Sequence, residues 1–453
     1  MELLDRIEAV IDHPTGAPVF DWNAPATEGS ASRWAGQARQ YLFWLLANGD
    51  QAVRQLLLAL RSGVVPILLP ARTPRPKIER LRATFPAFGC FDGQTVDWPA
   101  EPAAAPPDVL LCLATSGSTG APRILAAGES GLIHGIDAIH KAQGLADVAD
   151  TGVMLPLAYS FALVNQLLWA LVHRRRLHFL PGMGDPAGTL AAIDRQGIEM
   201  LCLVPDQVRA LVRLGFAGRQ VLDGVKVVNL AGGHFPVDCH RQLAAMFPNA
   251  RLFNNYGCTE AMPRLTAVEV MGPNHPVTLV GGPIEGVTLR IAGDSQAGPI
   301  EFRSKAASMG TVDPDGTLVP HPRWIRSGDL GRLEDGALHV MGRYDQVLKL
   351  GGERISLIEI EQALRSSAFD HVVAWSEREA GEAMLVAVAH GAAPPPGPDI
   401  LRHLRNGLPR AMWPRRIYWS EEWPLLPNGK VDRQALAERA RSDALACIYS
   451  RTA

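Results

Sequence analysis

The chain has 453 residues, 47% of them hydrophobic, with a formal net charge of −2. At about 150 residues per domain, that length predicts two to three domains with large buried cores. The charge balance excludes a general electrostatic draw toward nucleic acid or anionic membrane. The 43 glycines and 35 prolines make a loop-rich chain, still short of the composition of a disordered low-complexity sequence.

Cys90, Cys112, Cys202, Cys239, Cys258 and Cys447 are scattered, with no C-x-x-C pair. This disfavours a disulfide scaffold or structural zinc and fits a reducing compartment. Glu2 and Asp5 stand where a signal peptide needs positive charge. The most apolar stretch, LLLALRSGVVPILLPA, is broken by Arg61 and Pro66, so no transmembrane segment is expected. The expectation is a soluble, cytoplasmic protein.

The first clear punctuation is the Pro/Ala stretch PAEPAAAPPD at 99–108. DVLLCLA follows, a continuous apolar run of the kind that forms a strand buried on both faces, and it empties into TSGSTGAPR. IEMLCLVP at 198–205 predicts another buried strand, after which Asp206 is placed to cap a helix with Val208, Leu211, Val212 and Leu214 on its apolar face. VKVVNLAGG and RLFNNYG repeat the strand-then-glycine pattern. Strands alternating with helices predict a parallel, doubly wound α/β sheet, with ligands gathered beyond the strands' carboxyl ends.

The style changes near 342. In GRYDQVLKLGGERISLIEIEQAL, Ser356 and Glu359 form a capping-box pattern, with Ile355 and Ile360 as its hydrophobic staple. Beyond it, VVAWSE and AMLVAVAH read as strands of a small α+β domain. The boundary is placed between 342 and 343, giving domains 1–342 and 343–453.

Four short motifs bear chemistry, although each alone has a plainer reading as a turn or a solvated charge. Thr115, Ser116, Gly117, Ser118, Thr119 and Gly120 offer hydroxyls and open backbone N–H groups to a phosphate chain, without the Gly-Lys-Ser/Thr of a Walker loop. In Tyr256-Gly257-Cys258-Thr259-Glu260, a carboxylate follows a strand end, where it could hold Mg²⁺ against phosphate oxygens. Arg326-Ser327-Gly328-Asp329-Leu330 presents an Asp able to accept from vicinal hydroxyls. LPNGKVDR at 426–433 puts Lys430 beside a tight Asn-Gly turn.

In this order the motifs resemble those of the adenylate-forming (AMP-binding) superfamily, which includes acyl- and aryl-CoA synthetases, nonribosomal adenylation domains and luciferases. The resemblance implies an α/β fold: a large N-terminal domain of doubly wound sheets with a small β-rich subdomain, and a small α+β C-terminal domain joined by a hinge. It implies ATP and Mg²⁺ as cofactors, with CoA or the phosphopantetheine of an acyl carrier protein as acceptor. A carboxylate attacks the α-phosphate, pyrophosphate leaves, and a thiol then takes the acyl group from the adenylate. Lys430, Thr259 and Glu260 are the implied catalytic residues, with Glu260 also the metal ligand. Arg123 joins residues 115–120 on the phosphates; Gly232, Gly233, Tyr256 and Gly257 border the nucleotide and acyl site; Asp329 and Arg343 hold the ribose. Asp345 is the implied hinge, with Lys349, Gly351 and Gly352 along the thiol path.

The sequence departs from the family pattern at Ala121 and Arg123, where lysines are usual, and at Tyr159 and Ala162 in PLAYSFA. Amino-acid-activating relatives place an Asp where Ala162 stands, so α-amino acids are disfavoured. Tyr159, Ser160, Phe161 and His234 are expected to wall the pocket, which favours an aryl acid such as a hydroxybenzoate or an apolar fatty acid. A narrower resemblance points to short ligases of aryl-polyene and related pigment pathways. A stand-alone amino-acid adenylation enzyme and a catalytically silent adenylate-binding protein are the alternatives. Arg174, Arg175 and Arg176, and Arg402, Arg405, Arg410, Arg415 and Arg416, read as a carrier-docking face, as contacts to CoA phosphates, or as solvated surface.

Overall fold

Short apolar runs bounded by glycine and proline build two mixed sheets in the first of two compact units. The computed structural model describes Leu3, Arg6 and residues 39–116, 122–293, 296–343, 347–350, 353–365, 369–379, 382–391, 393–408, 410, 413–426 and 431–451. The first unit comprises Met1–Arg290, Glu301–Ser327 and Asp335–Leu338; the second comprises Ile291–Ile300, Gly328–Glu334 and His339–Ala453.

The first sheet has at its centre β1 (Tyr41–Leu46), β2 (Val65–Pro70), β3 (Gly89–Phe91) and β5 (Val109–Ser116), in the order β5-β2-β1-β3 and all parallel. Along β1 the side chains alternate between two buried clusters: Leu42, Trp44 and Leu46 enter one, Tyr41 and Phe43 the other. This double burial is why the strand is a continuous apolar run. The outer strands are antiparallel: β4 (Val96–Asp97) on β3, β6 (Pro122–Gly128) on β5, then Gly310–Val312 and Leu318–Pro320. The all-parallel expectation therefore holds only at the centre. The connection from β5 to β6 is too short for the dozen or more residues a parallel crossover requires.

The second sheet runs β12-β11-β10-β9-β7-β8, with β7 Asp150–Val153, β8 Arg176–Phe179, β9 Met200–Leu203, β10 Val227–Leu230, β11 Arg251–Tyr256 and β12 Thr266–Glu269. All pairs are parallel except β11–β12. The carboxyl ends of β10 and β11 lead into Gly232-Gly233 and Tyr256-Gly257. After β9, the helix Pro205–Arg213 starts two residues earlier than Asp206 capping would allow: Val204 is the N-cap and Pro205 the first helical residue. Proline suits that position because its φ is preset and its missing N–H would be unbonded there anyway. The Val204 N–H is met instead by Gln207 Oε1 at 3.0 Å. Leu214 lies past the last turn and is 52% exposed, so it does not belong to the apolar face.

A five-stranded sheet, in the order Leu279–Gly281, Ala337–Arg343, Ile325–Glu334, Ala297–Ser304, Val287–Ile291, accounts for the β-rich part, its residues being divided between the two units. In the second unit, His371–Glu379, Glu382–His390, Arg416–Trp419 and Ala446–Ser450 form a four-stranded sheet. Ile360 and Leu364 of the helix Leu357–Arg365 pack with Val372, Leu385, Ile400 and Ile417. The helix begins directly after Ser356, as the capping pattern predicts; the side chains of Ile355, Ser356 and Glu359 lie outside the described residues. Glu361, 3% exposed, accepts from the Ala374 N–H at 2.9 Å and from Arg433 Nη2 at 2.8 Å, tying the helix to a strand and to the last residue of LPNGKVDR. Among the described residues, no helix is long and apolar enough to cross a membrane.

Candidate functional site

In the first unit the site begins where β5 and β6 end as a hairpin, with Thr115 opposite Arg123 and Ser116 opposite Pro122. Gly117, Ser118, Thr119, Gly120 and Ala121 lie outside the described residues, as does the Ser116 side chain. Arg123 reaches away from the hairpin, and its Nη1 lies 3.5 Å from Glu260 Oε1. Two motifs separated by 137 residues thus meet.

Glu260 rides on a tight strap. β11 ends at Tyr256, whose carbonyl accepts from the Leu265 N–H at 2.9 Å, closing the loop at its root. Gly257 is required for this closure: a Cβ there would overlap the Pro263 carbonyl oxygen and stand 2.8 Å from its carbon. At the tip, Thr259–Ala261 form a 3₁₀ turn. The Glu260 carbonyl accepts from the Ser308 N–H at 2.8 Å, and the Ser308 hydroxyl lies 2.7 Å from His321 Nε2. The Glu260 main chain is thereby pinned, with its carboxylate held toward Arg123.

Arg123, Glu260, Arg290, His321, Trp324 and Arg326 are among the residues lining a cavity of about 590 Å³. Its guanidinium groups outnumber its carboxylates, and one carboxylate is already engaged: Glu301 accepts from Arg290 at 2.6 and 2.8 Å and from Arg326 at 3.1 Å. Those bonds hold the Glu301 carboxyl below its ordinary pKa. Arg290 also stacks on Trp324, 4.1 Å from the ring centroid. Burial lowers the pKa of His321, and Arg123 adds to this while Glu260 opposes it. A carboxylate set among guanidinium groups suits a polyanion escorted by a divalent cation. As a hard-oxygen donor, Glu260 fits Mg²⁺, which binds through one or two carboxylates together with phosphate oxygens.

The Tyr256 hydroxyl donates to Ser327 Oγ at 2.9 Å. Tyr159 caps the helical segment that begins at Ser160, with its phenol pKa raised by burial; Ser160 is buried and Phe161 half-buried. Ala162 is fully buried. His234 Nδ1 lies 3.1 Å from the Val277 carbonyl, so that nitrogen serves the fold as a donor. Gly232 takes φ +84°, a conformation few other residues adopt, and Gly233 follows it against Pro205.

In the second unit, Asp329 lies on the strand Ile325–Glu334 and Arg343 on Ala337–Arg343, with Arg343 Nε 4.0 Å from Asp329 Oδ1. Val347–Leu350 pairs with Glu353–Ser356, which sets Lys349 opposite Arg354 in the backbone register. Asp345, Gly351, Gly352 and Lys430 lie outside the described residues, as does the Lys349 side chain. Of the basic clusters, Arg176 is exposed but paired, bonded at 2.6 and 2.5 Å to the buried Asp150, and Arg175 donates to the Ala146 carbonyl at 3.0 Å. Arg402 and Arg405 are exposed on the helix Gly397–Gly407.

Ser308, His321, Arg290 and Trp324 were not anticipated. Each comes from a segment without a repeating pattern, and only Trp324, two residues before Arg326 of RSGDL, had a neighbouring signal.

A family model described as AMP-binding enzyme matches residues 54–307. Among curated proteins, the chain is 30% identical over 404 residues to a linear gramicidin synthase of Brevibacillus parabrevis, covering 80% of this chain and 8% of that protein. It is 26% identical over 275 residues to the D-alanine--D-alanyl carrier protein ligase of Bacillus cereus (strain G9842), covering 55% of each. The chain therefore spans a small part of the first and about half of the second. Among solved structures, the anthranilate CoA ligase AuaEII in complex with anthranoyl-AMP superposes with a TM-score of 0.80 at 16% identity, covering 98% of both chains.

Proposed function

Because the chain belongs to the AMP-binding enzyme family, we propose that it activates a carboxylic acid with ATP as the acyl-adenylate and passes the acyl group to a thiol. The observation that carries this reading is the meeting of Arg123 and Glu260 at the end of the β5–β6 hairpin, 3.5 Å apart and on the wall of a guanidinium-lined cavity. In this reading Arg123 and the hairpin hydroxyls take the β- and γ-phosphates. Glu260 holds the Mg²⁺ that offsets their charge, and Thr259 stands beside it. Asp329, with Arg343, takes the ribose hydroxyls, and Lys430 bridges the acid's carboxyl and the α-phosphate. The portion beginning at 343 turns about Asp345 between the two half-reactions, after which Gly351 and Gly352 admit the thiol.

The acid side is walled by Tyr159, Ser160, Phe161 and Tyr256. Fully buried Ala162 supplies no carboxylate for an α-ammonium, which supports an aryl or apolar acid over an amino acid. The anthranilate CoA ligase likeness supports an aryl acid with CoA as acceptor; the D-alanyl carrier protein ligase supports a carrier phosphopantetheine. Amino-acid adenylation is a second reading, favoured by the match to a gramicidin synthase.

ATP–pyrophosphate exchange with Mg²⁺, run over aryl, fatty and amino acids, tests the proposal. Exchange driven by one class names it. Silence across the panel with ATP still bound would point to an acid outside these classes or to a catalytically silent adenylate-binding protein.

A further inference from the structure

Arg264 stands at the root of the strap that carries Glu260, and its side chain is buried, 3% exposed overall. Its Nη1 donates to Asn255 Oδ1, an oxygen that also accepts from Gln143 Nε2 at 2.9 Å. Asn229 Oδ1 is likewise doubly used, by Gln143 Nε2 at 2.5 Å and Asn255 Nδ2 at 3.0 Å. Among the described residues, Arg264 Nη2 is buried with no hydrogen-bond partner, as are Asn229 Nδ2 and Gln143 Oε1. The guanidinium lies 5.7 Å from the ring centroid of Phe161, one of the residues assigned to the acid's pocket.

Among the described residues, nothing neutralises that cation. The one ionisable group that acts on it is the Cys202 thiol, which burial pushes up to about 12 and so keeps uncharged. Burial lowers Arg264 itself to about 9, leaving it cationic at neutral pH. Its contacts are neutral amides and a ring face. A buried charge held this way is costly unless an anion joins it.

We propose that Arg264 is a specificity residue that receives a second carboxylate, carried by the acid at the end remote from the carboxyl being activated. This rests on the adenylation reading and narrows its substrate to dicarboxylic acids. A carboxylate matches the planar donor edge of a guanidinium, and the same charge repels an α-ammonium.

The test is ATP–pyrophosphate exchange by the full chain over matched acids: benzoate against isophthalate and terephthalate, hexanoate against adipate. The favoured dicarboxylate should exceed its monoacid in kcat/KM by on the order of 100-fold, since a site built for a polar group strongly rejects analogues lacking it. Arg264→Gln should bring that ratio near unity, chiefly through KM. Arg264→Lys, which keeps the charge but not the fork, should give an intermediate ratio. Equal use of mono- and dicarboxylates by the wild type, or a preference that Arg264→Gln leaves intact, overturns the assignment. Melting curves with each dicarboxylate and no ATP separate the two claims. Protection of the wild type that Arg264→Gln loses supports the arginine even where no acid drives exchange, an outcome that would count against adenylation alone. No protection by any dicarboxylate overturns it. Should Arg264→Gln fail to fold, Arg264→Lys and the wild-type panel carry the same test.

Discussion

Gly257→Ala is a single-methyl perturbation whose consequence can be worked from the strap. The added Cβ would overlap the Pro263 carbonyl oxygen and stand 2.8 Å from its carbon and 3.0 Å from Arg264 Cα. All three neighbours are backbone, so no side chain can rotate away. Carbon–carbon contacts settle at about 3.5–4.0 Å, so the strap must retreat by about 1 Å. The retreat opposes the Leu265 to Tyr256 hydrogen bond of 2.9 Å and the Ser308 to Glu260 bond of 2.8 Å. Overpacking of this kind costs about 1–3 kcal/mol of stability. A misplacement of about 1 Å at a reacting site costs on the order of 100-fold in rate. Urea unfolding reads the first effect and ATP–pyrophosphate exchange the second. The expected variant is folded, mildly destabilised and slowed far beyond what its unfolded fraction explains. Wild-type exchange together with a wild-type unfolding midpoint would refute both the steric account and the placement of Glu260 in the chemistry.

Lys430→Ala is expected to reduce adenylation by on the order of 3 kcal/mol of transition-state stabilisation while sparing thiol transfer from pre-formed acyl-adenylate. Equal loss in both half-reactions would argue against alternating use of the second unit. A pH effect follows from His173, whose ring stacks on His140 at 4.0 Å. Burial first, then His140, holds His173 down to about 4 against its ordinary 6.5. The folded state favours the neutral ring, so this contribution is complete above pH 6.5 and is lost as pH falls toward 4. It amounts to at most about 3 kcal/mol. Unfolding free energies at pH 7, 5.5 and 4.5 should show a steeper acid fall in the wild type than in His173→Asn; equal slopes would discount the histidine.

What could be read beforehand was whatever lies contiguous in the chain. The runs VLLCLA and MLCL are apolar at successive positions because both faces of their strands are covered, and that shows in any window. The antiparallel edges did not show, since pairing direction depends on connection length and neighbours rather than on the strand's own residues. Glu260, Tyr256 and Arg123 were legible because each sits in a motif. Ser308 and His321 were not: the serine reaches Glu260 across 48 residues and the histidine reaches the serine across 13. Arg264 carries no sequence signal, because burial of a charge is decided by what folds over it. The sequence places His234 on the pocket wall, and its bond to the Val277 carbonyl adds a structural role for Nδ1.

The Glu361 clamp sets a rule for recombination. One carboxylate serves the Ala374 amide, Arg433 and, at 3.9 Å, Arg365, so the helix at 357–365 and the start of the helix at 433–441 share a single anion. A chimera that crosses over between residues 366 and 432 inherits Glu361 from one parent and Arg433 from the other. Where the parents differ at 433, the hybrid loses the nearest cation of the buried Glu361 carboxylate and leaves it to the Ala374 N–H and to Arg365 at 3.9 Å, even though each half is native. Segments exchanged with relatives of this family should therefore take 357–441 as one block, or choose parents that match at both ends of the clamp.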